Sequence, residues 1–503
     1  MRKTAKFSMI LIVFILIVVM GIISSCANKE VKSLNFALSG NPDTLDPQKT
    51  SGTLTFQTIK SIYDTLAEPD ENGVIVPALA ESWDVSADSL TWTFHLRKSV
   101  RFHNGDAFSS ADVKATFERV LDKETGSSHA KEFSIIASMD TPDELTIVFN
   151  LSSPQASFLA SLASGWGAIL PKNLIDSGHD FDSFPVGTGP FKLGEWVRDS
   201  KVVLLKNEDY WMKGLPKLNQ VILNIIPETS IQIQGLISGQ IDIVFIVDSD
   251  DIPLLEASSD VRIEENLTSL ILVMSMNTSA APLDDIRVRQ AINYAIDKQK
   301  ILDIAYGGGE PIGTFMDRGN AYYKDFTDLY PYNPEKATAL LKEAGVGDDV
   351  ELKMYLPQNY ALHVKAGEMY QEMLTQVGLN VKIQLIDWST WISDVYRASK
   401  FDLTVIGHTG KLDPNGTLRG YGEGKYVQWM NADAASLIKE AAVTSKYEDR
   451  KALYDQALEL MAKEVPFVYL GSSFRTTGLR TDVSGFRITP NLDTFDFRWT
   501  EFK

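Results

Sequence analysis

The spacing of apolar side chains along the chain predicts a mixture of strands and helices. Residues 91–96 alternate polar and apolar side chains, which predicts a strand with one buried face. A capping serine, Ser109 or Ser110, then begins a helix whose apolar positions recur every three or four residues. The same patterns predict strands at 34–38, 145–151, 201–205, 221–226, 241–247, 485–488 and 495–499, and helices at 231–237 and 284–301, the second capped by Asp284. Strands and helices mix without strict alternation, which favours α/β to α+β domains.

A long apolar run at the N-terminus is typical of a secretory signal. It covers residues 9–23, fifteen positions interrupted only by Gly21, and it follows the positive charges of Arg2, Lys3 and Lys6. Such a run is long enough for a signal segment and short for a membrane-spanning helix, which needs about 20 residues.

The run is followed by Ser24, Ser25 and Cys26, and the small residues before this cysteine resemble the lipobox of bacterial lipoproteins. We therefore expect residues 1–25 to be a cleaved signal and Cys26 to carry a diacylglycerol, with 26–33 as the lipidated cysteine and a tether. The alternative is an uncleaved anchor helix with an incidental cysteine. The expected location is outside the cytoplasm, on the extracellular face or in the periplasm, with the lipid anchor in the membrane.

Length, charge and composition exclude several classes of function. Single cores stop growing near about 250–300 residues, so a chain of 503 residues is expected to form two or three domains. With a net charge of −18, the chain lacks the excess of basic residues that is typical of nucleic-acid-binding proteins. One cysteine rules out a disulfide framework and a cysteine-rich zinc site, and six scattered histidines make a catalytic metal centre improbable. We expect no cofactor.

The chain carries no enzyme motif with the right spacing. Neither Gly-x-Ser-x-Gly nor His-Glu-x-x-His is present. Gly424-Lys425 lacks the preceding glycine of a phosphate loop, and Ser128-x-x-Lys131 lacks the companion motifs of a serine acyltransferase site. We therefore predict no catalytic residues and no enzyme activity.

Several blocks of sequence together resemble the extracellular solute-binding proteins of family 5, the peptide- and nickel-binding receptors of ABC importers. The blocks are residues 42–47, 79–83 with 90–97, 100–106 with 110–113, 187–191, 238–242, 276–278 with 282–292 and 296–297, and Asp413-Pro414. They cover nearly all of the chain after the tether, in the expected order.

The resemblance implies an α/β fold of the periplasmic-binding-protein-like type II (cluster C), with two lobes, a hinge and an extra inserted domain. Domain I would comprise 34–75, 185–272 and 481–503, domain II 76–184, and domain III 273–480. A ligand would lie between domains I and III and be trapped by hinge closure. The implied partners are a peptide or peptide-like molecule and an ABC permease with its ATPase, and we expect a monomer.

Most residues of these blocks are predicted to be scaffold. Gly187 and Gly189 are expected to serve a tight backbone crossing where the chain re-enters a domain. His95 and His103 are expected to be satisfied polar residues. The protein core is expected to contain Trp83, Trp92, Phe94 and Leu96. Ion pairs are expected from Arg287 and Arg289 to Asp284, Asp285 or Asp297.

The loop at residues 407–416 is the most informative about the ligand. Dipeptide receptors of the family resemble it but carry Trp at the position of His408 and Asp at that of Lys411, and that Asp takes the ligand ammonium. Here the site is basic, closer to a variant in glutathione-type receptors, so we expect a carboxylate or another anion near Lys411; a solvated lysine is the alternative. The expected ligand-binding residues of this loop are His408, Thr409, Gly410, Lys411 and Asp413.

Other candidates lie outside this loop. Residues 356–360 lack the carboxylate-binding arginine of some relatives, and Tyr360, Trp388 and Trp391 are expected to line the cleft, with ordinary packing as the alternative for each. On the domain I side, Ser51, Gly52 and Thr53 are expected to offer hydrogen bonds to the ligand backbone.

Four functions remain open at this point. The first is a receptor for oligopeptides or a peptide-like anion. The second is a receptor for a nickel–chelate or metallophore complex, with His408 as the one metal ligand from the protein. The third is an oligosaccharide receptor in which Trp388 and Trp391 stack on sugar rings, and the fourth is a surface sensor or adhesin on the same fold.

Overall fold

The computed structural model describes residues 33–347, 350–489 and 494–503. The predicted signal, the tether up to residue 32 and the lipidation site Cys26 lie outside these residues. Within the described part of the chain, no helix combines the length and the apolar character required to cross a bilayer.

The secondary structure is mixed. The described strands are β1 (Ser33–Leu38), β2 (Ala67–Pro69), β3 (Ile75–Pro77), β4 (Ala80–Val85), β5 (Thr91–Leu96), β6 (Ile136–Asp143), β7 (Thr146–Leu151), β8 (Phe191–Val197), β9 (Lys201–Lys206), β10 (Gln220–Ile225), β11 (Ile243–Val244), β12 (Val261–Leu267), β13 (Leu270–Met276), β14 (Gly309–Pro311), β15 (Glu351–Pro357), β16 (Asn380–Ile386), β17 (Leu403–Thr409), β18 (Glu423–Gly424), β19 (Trp429–Met430), β20 (Phe467–Arg480), β21 (Val483–Ser484), β22 (Arg487–Thr489), β23 (Thr494–Asp496) and β24 (Glu501–Phe502). The described α-helices are α1 (Thr53–Ile59), α2 (Ser110–Leu121), α3 (Ala130–Phe133), α4 (Phe158–Leu162), α5 (Lys172–Asp176), α6 (Thr229–Ser238), α7 (Ile252–Glu256), α8 (Ile286–Ala295), α9 (Lys298–Tyr306), α10 (Pro334–Ala344), α11 (Ala361–Gln376), α12 (Trp388–Thr390), α13 (Pro414–Leu418), α14 (Ala432–Val443) and α15 (Tyr447–Glu464).

The strongest local patterns form the elements they predict. The strand at 91–96 is confirmed as β5, in which Trp92, Phe94 and Leu96 are buried. Ser109 begins α2 through a capping box with Asp112, which satisfies backbone N–H groups at the helix start.

The short strands predicted at 485–488 and 495–499 are displaced, to Arg487–Thr489 and Thr494–Asp496. Two longer predicted elements are wrong in extent. The helix expected at 284–301 is two helices, because Asp285 rather than Asp284 caps α8, and Asp297 caps α9 after an extended residue, Ile296. The strand expected at 241–247 pairs with its neighbours only over Ile243–Val244, as β11. Both segments are apolar enough for a longer element, but side-chain capping and strand pairing end them early.

A long mixed sheet runs through the molecule and divides at β20. On one side the strand order is β11-β1-β10-β9-β8, with β1 parallel to β10 and β11. On the other side the order is β13-β17-β15-β16, with β15 parallel to β16 and β17. We call the part built on β1 and β8–β11 the first lobe, and the part built on β13 and β15–β17 the second lobe.

Two strand segments cross between the lobes. β12 pairs with the C-terminal part of β20, from Leu267↔Phe474 to Val261↔Arg480. β13 pairs with the N-terminal part of β20, and the chain passes from β12 to β13 through Thr268 and Ser269. Both crossing segments are therefore hydrogen-bonded strands, whereas the domain boundaries at 272/273 and 480/481 stay a prediction.

Residues between the first-lobe segments form a separate four-stranded sheet, β4-β5-β7-β6, covered by α2. Where the chain returns to the first lobe, a Cβ on Gly187 or Gly189 would lie 2.3 or 2.6 Å from the carbonyl oxygen of Ile62. The prediction of a tight backbone crossing at these two glycines is confirmed.

The scaffold histidines have partners as predicted. A ring nitrogen of His103 lies 3.0 Å from the carbonyl oxygen of Gly189, and burial lowers the pKa of His103 to about 4. His95 bonds Asp84 on the neighbouring strand, at 3.0 Å.

The two arginines near the start of α8 bind different groups. Arg287 pairs with Asp285, as predicted. The guanidinium of Arg289 instead donates to backbone carbonyls of Leu283, Asp284 and Glu464, so its expected carboxylate pairing is wrong. The reason is that its burial places the guanidinium beside the ends of two chain segments whose carbonyls need donors.

Candidate ligand-binding site

Three predicted groups of ligand-binding residues meet at one edge of the second lobe. Strands β15, β16 and β17 run parallel, so their carboxyl ends lie side by side. The segments that follow these ends carry Tyr360, then Trp388 and Trp391, then Lys411. In open α/β sheets this edge is where ligands bind.

The aromatic candidates form a continuous row. The rings of Tyr360 and Trp388 are 5.2 Å apart, and those of Trp388 and Trp391 are stacked at 5.0 Å with an angle of 4° between planes. The row continues through Tyr396 to Tyr426. Trp391 is buried, but Tyr360, Trp388 and Tyr396 are each about 40% exposed at one side. Tyr396 was not among the residues predicted from sequence.

Hydrogen bonds hold this row in place. The indole N–H of Trp391 donates to Thr404 Oγ1 at 2.9 Å, and the Thr404 hydroxyl donates to the carbonyl of Tyr355 on β15. Asp387 caps the short helix α12 by accepting from the Thr390 N–H at 3.0 Å. Hydroxyls of Ser389 and Thr390 lower the pKa of Asp387, which keeps this cap charged.

His408 is a packed and hydrogen-bonded side chain. Its Nε2 lies 2.8 Å from the Tyr426 hydroxyl, which in turn lies 2.7 Å from Ser275 Oγ. Burial lowers the pKa of His408 to about 3, and the nearby Lys425 adds to this effect. The ring is therefore neutral at physiological pH, and one of its two nitrogens is already engaged.

A second histidine supports the same strand and was missed by the sequence reasoning. The backbone N–H of Gly407 donates to His363 Nε2 at 3.2 Å, so the ring proton lies on Nδ1, 2.8 Å from the Tyr306 hydroxyl. Burial lowers the pKa of His363 to about 4. Because His363 lies on helix α11, no local pattern separates it from an ordinary helical residue.

The loop after β17 is held from both sides. The Gly410 N–H donates to the Ser269 carbonyl at 2.7 Å. Asp413 forms a two-pronged ion pair with Arg450, at 2.6 and 2.9 Å, and also caps α13 through the Asn415 N–H. The carboxylate of Asp413 is thus used inside the protein, and its predicted contact with ligand stays a prediction.

Lys411 is exposed at the lip of a narrow gap between the lobes. Its backbone carbonyl accepts from Asn320 at 2.9 Å, while its side chain lies on the surface. The gap is lined by Gly73 of the first lobe and, from the crossing link and second lobe, by Ser269, Asp317, Gly319, Asn320, Gly410, Lys411 and Leu412. Thr409, next to it, is exposed at the end of β17 and pairs with Leu270.

A larger cavity adjoins this gap and shares Ser269, Asp317 and Gly319 with it. Its volume is about 350 Å³. The other lining residues are Glu71, Glu264, Asn266, Leu267, Thr268, Arg475, Thr477, Phe486, Arg487 and Ile488. Charged groups of both signs therefore surround a space between the lobes, and the sequence reasoning had named none of them.

Ser51, Gly52 and Thr53 lie elsewhere on the first lobe, at the start of α1. The Gly52 N–H donates to Thr50 Oγ1 at 2.9 Å, and Ser51 and Thr53 are exposed. None of the three lines the cavity. Their predicted contact with ligand stays a prediction.

Metal binding has no obvious site in the described residues. They contain no group of three or more histidine, cysteine, aspartate or glutamate side chains arranged to hold a metal ion.

Comparison with known proteins places these features in a family. The family model for bacterial extracellular solute-binding proteins, family 5, matches residues 74–426. A di/tripeptide-binding protein of Pseudomonas aeruginosa is 30% identical over 92% of this chain and 93% of its own. A glutathione-binding protein of Salmonella paratyphi A is 27% identical, again over 92% and 93%.

Solved structures agree in fold. A periplasmic murein tripeptide binding protein in its unliganded open form has a TM-score of 0.86 at 22% identity, over 94% of this chain and 98% of that one. A periplasmic binding protein from Helicobacter pylori, in complex with the peptide STSA, has a TM-score of 0.69 at 27% identity, over 93% and 98%. The predicted type II fold is confirmed, and the chain belongs to the bacterial extracellular solute-binding proteins of family 5.

Proposed function

We propose that this protein captures peptides, or peptide-like anions, between its two lobes and delivers them to an ABC permease. The observation that carries the proposal is the cavity of about 350 Å³, which has charges of both signs and borders on both lobes and the crossing segments. A peptide zwitterion needs such a mixed surface. Relatives named as di/tripeptide-binding support the same ligand class.

Closure of the cleft would strengthen these contacts. Charged groups facing a water-filled gap attract a ligand weakly, because water screens them. When the lobes close and water leaves, the same charges act in a medium of lower dielectric constant, so pairing with the ligand matters more. The receptor binds and releases its ligand without altering it chemically.

Lys411 is proposed to attract the anionic part of the ligand. It stands at the lip of the gap, beside Gly410 and opposite Gly73 of the first lobe. A lysine here favours a carboxylate or another anion over an ammonium group. The protein would be held on the cell membrane by a lipid on Cys26 and face away from the cytoplasm, on the extracellular face or in the periplasm.

Native mass spectrometry of residues 27–503, purified without the lipid, tests the proposal. We expect co-purified peptides, and trialanine binding by calorimetry after these are removed. Lys411→Glu is expected to weaken binding about tenfold, because it places a repelling charge at the lip. Lys382→Glu, at an exposed position at the other end of β16, is the matched control and should bind as the wild type does.

A preparation free of peptide would contradict the proposal. If it instead retained a chelated metal that His408→Ala removed, the receptor would be one for a metal complex.

A further inference from the structure

The part of the chain inserted into the first lobe also contacts the second lobe. We call residues 80–176, from β4 to α5, the inserted unit. The backbone N–H of Ala156 donates to the carbonyl of Ala442 at 2.9 Å. The hydroxyl oxygens of Ser89 and Ser445 lie 2.7 Å apart. These hydrogen bonds join the two lobes at a place remote in the chain from the crossing strands.

Both sides of this contact present polar groups that need a partner. Ala442 lies in the last turn of helix α14, where carbonyl groups have no acceptor role within the helix, and the Ala156 N–H supplies the missing donor. Ser89 is only 6% exposed, although Asp88 in the same turn is exposed. Separating the two surfaces would therefore leave these groups to water.

The inserted unit is fixed to the first lobe. Arg119 of α2 forms an ion pair with Asp46, whose side chain is fully buried. A ring nitrogen of His129 lies 2.9 Å from the carbonyl oxygen of Thr50, and Leu66 is part of the core of the inserted unit. Because these links are buried, we expect the inserted unit and the first lobe to move as one body.

Helix α15 gives the contact a long lever arm. It begins two residues after Ser445 and ends three residues before β20. Its 18 residues make it about 27 Å long. If the second lobe turns about the crossing strands by about 10°, a point about 27 Å away moves by about 5 Å, which is far more than a hydrogen bond tolerates. Since the groups are already at hydrogen-bonding distance, such a turn can only part them.

The same contact is connected to the loop of Lys411. The Arg450 Nε donates to the carbonyl of Ala441 at 2.9 Å, one residue before the acceptor of the Ala156 N–H. The guanidinium of Arg450 also pairs with Asp413 beneath this loop. One arginine therefore supports both the contact with the inserted unit and the ligand-side loop.

We propose that the contact of Ser89 and Ala156 with Ser445 and Ala442 is a latch, which holds the present angle between the lobes and opens when they close on a ligand. This inference rests on the proposed function. Because the latch stabilises only one of the two arrangements, closure on a ligand works against it and the affinity for the ligand is lower than it would be without it.

A reversible cross-link tests the latch. Residues 27–503 contain no cysteine, so Ser89→Cys combined with Ser445→Cys introduces a single pair, at positions whose hydroxyls are close enough for a disulfide to replace them. The oxidised protein is expected to bind trialanine at least about 30-fold more weakly than the reduced protein in calorimetry, because the disulfide prevents closure. Small-angle X-ray scattering should show that trialanine makes only the reduced protein more compact.

A disulfide within the inserted unit is the matched control. Ser138 and Asn150 are paired on neighbouring strands, and both are remote from the second lobe in the sheet β4-β5-β7-β6. Oxidising Ser138→Cys combined with Asn150→Cys should leave trialanine affinity unchanged, because this disulfide joins two parts of one body.

Hydrogen exchange on the unmodified protein gives a second readout and carries the test if the cysteine variant does not fold. Trialanine should speed exchange at the Ala156 amide, which loses its acceptor, and should not change exchange at the Leu151 amide, which donates to Leu90 within the inserted unit. Equal or tighter trialanine binding after oxidation, or unchanged exchange at Ala156 in protein that binds trialanine, overturns the latch alone. Failure of the wild type to bind any peptide overturns the proposed function.

Discussion

Gly410 shows how a position without a side chain shapes the cleft. A Cβ at this position would lie 2.3 Å from Asp317 Oδ2 and 2.6 Å from the Ser269 carbonyl oxygen. The absence of that atom lets the loop of Lys411 pack directly against the crossing link and against a cavity carboxylate. A local reading of the sequence places glycine in this loop but does not show which distant residue requires it.

Acid is expected to destabilise the fold through His103, His363 and His408. Their folded pKa values are about 4, 4 and 3, lowered mainly by burial from the usual 6.5. Below pH 6.5 the unfolded chain takes up protons that the folded chain excludes, so the free energy of unfolding falls as the pH drops toward the folded values. Near pH 5 each histidine should lower it by on the order of 1–2 kcal/mol relative to a pH near 7.5. Urea denaturation at both pH values measures the change.

His363→Gln separates this effect from general acid sensitivity. Glutamine can still accept from the Gly407 N–H but does not titrate, so the loss between the two pH values should shrink by about one histidine's share. An undiminished loss in His363→Gln would contradict the prediction.

Residue chemistry was predictable where a short motif fixed it. The basic character of the loop at Lys411 can be read from the sequence alone, as can the scaffold role of Gly187 and Gly189. Arg475 was not predictable as a cavity residue. Its side chain faces the cavity only because β20 pairs with β12, far away along the chain.

The loop between β17 and α13 depends on a buried ion pair. The side chains of Arg450 and Asp413 are 4% and 12% exposed, and Arg450 is supplied by helix α15. This pair joins the ligand-side loop to a long helix on the second lobe. The carboxylate of Asp413 therefore supports the loop, and its contact with ligand stays a prediction.

Removing the arginine is expected to damage both stability and binding. Arg450→Met leaves the Asp413 carboxylate buried without its partner, which should lower the free energy of unfolding by about 3–5 kcal/mol. The loop of Lys411 should loosen with it, so peptide affinity falls. Chemical denaturation and calorimetry measure the two effects.

The exposed pair Lys439–Glu423 provides the comparison. Lys439→Met breaks an ion pair in solvent and should cost less than about 1 kcal/mol. Equal costs for the two substitutions would show that the Arg450–Asp413 pair is no more important than a surface contact.

Elements were predictable where one local signal dominates. Strand β5 follows from strict alternation, and α2 follows from a serine cap with an apolar face. The break between α8 and α9 was not, because apolar periodicity continues across Ile296 while Asp297 starts a new cap. The row from Tyr360 to Tyr426 was not visible either, because parallel strand pairing assembles it from separate segments.

The two lobes face each other across the cavity of about 350 Å³. Hinge closure of such a cleft changes the angle between the lobes and leaves the architecture of each lobe unchanged.

Trialanine at saturating concentration is therefore expected to make the molecule more compact. Binding to groups on both lobes favours the closed arrangement, because only there do both sets of contacts form at once. Small-angle X-ray scattering should show a smaller radius of gyration with peptide than without. Trialanine amide is the control and should have less effect at the same concentration. A radius unchanged at full occupancy would mean that capture does not need closure.

The overall architecture was predicted from the order of the sequence blocks that resemble the family. It was not predicted from the pattern of apolar and polar residues. Apolar periodicity gives strands and helices but does not say which distant strands pair. The pairing of 261–276 with 467–480 creates the connection between lobes, and nothing within either segment specifies the other.

Both outer segments of the described chain belong to the first lobe. β1 lies in its sheet, and β23 returns to it, where Phe36 contacts Phe495 at a ring distance of 4.6 Å. A bead, a sensor surface or a bilayer attached at either end of the described chain would therefore hold the first lobe. The second lobe would remain free to move relative to it. Two dyes attached at the two ends of the described chain would not report the movement of the second lobe relative to the first. A fluorescence reporter of that movement needs one dye at an internal site beyond β13.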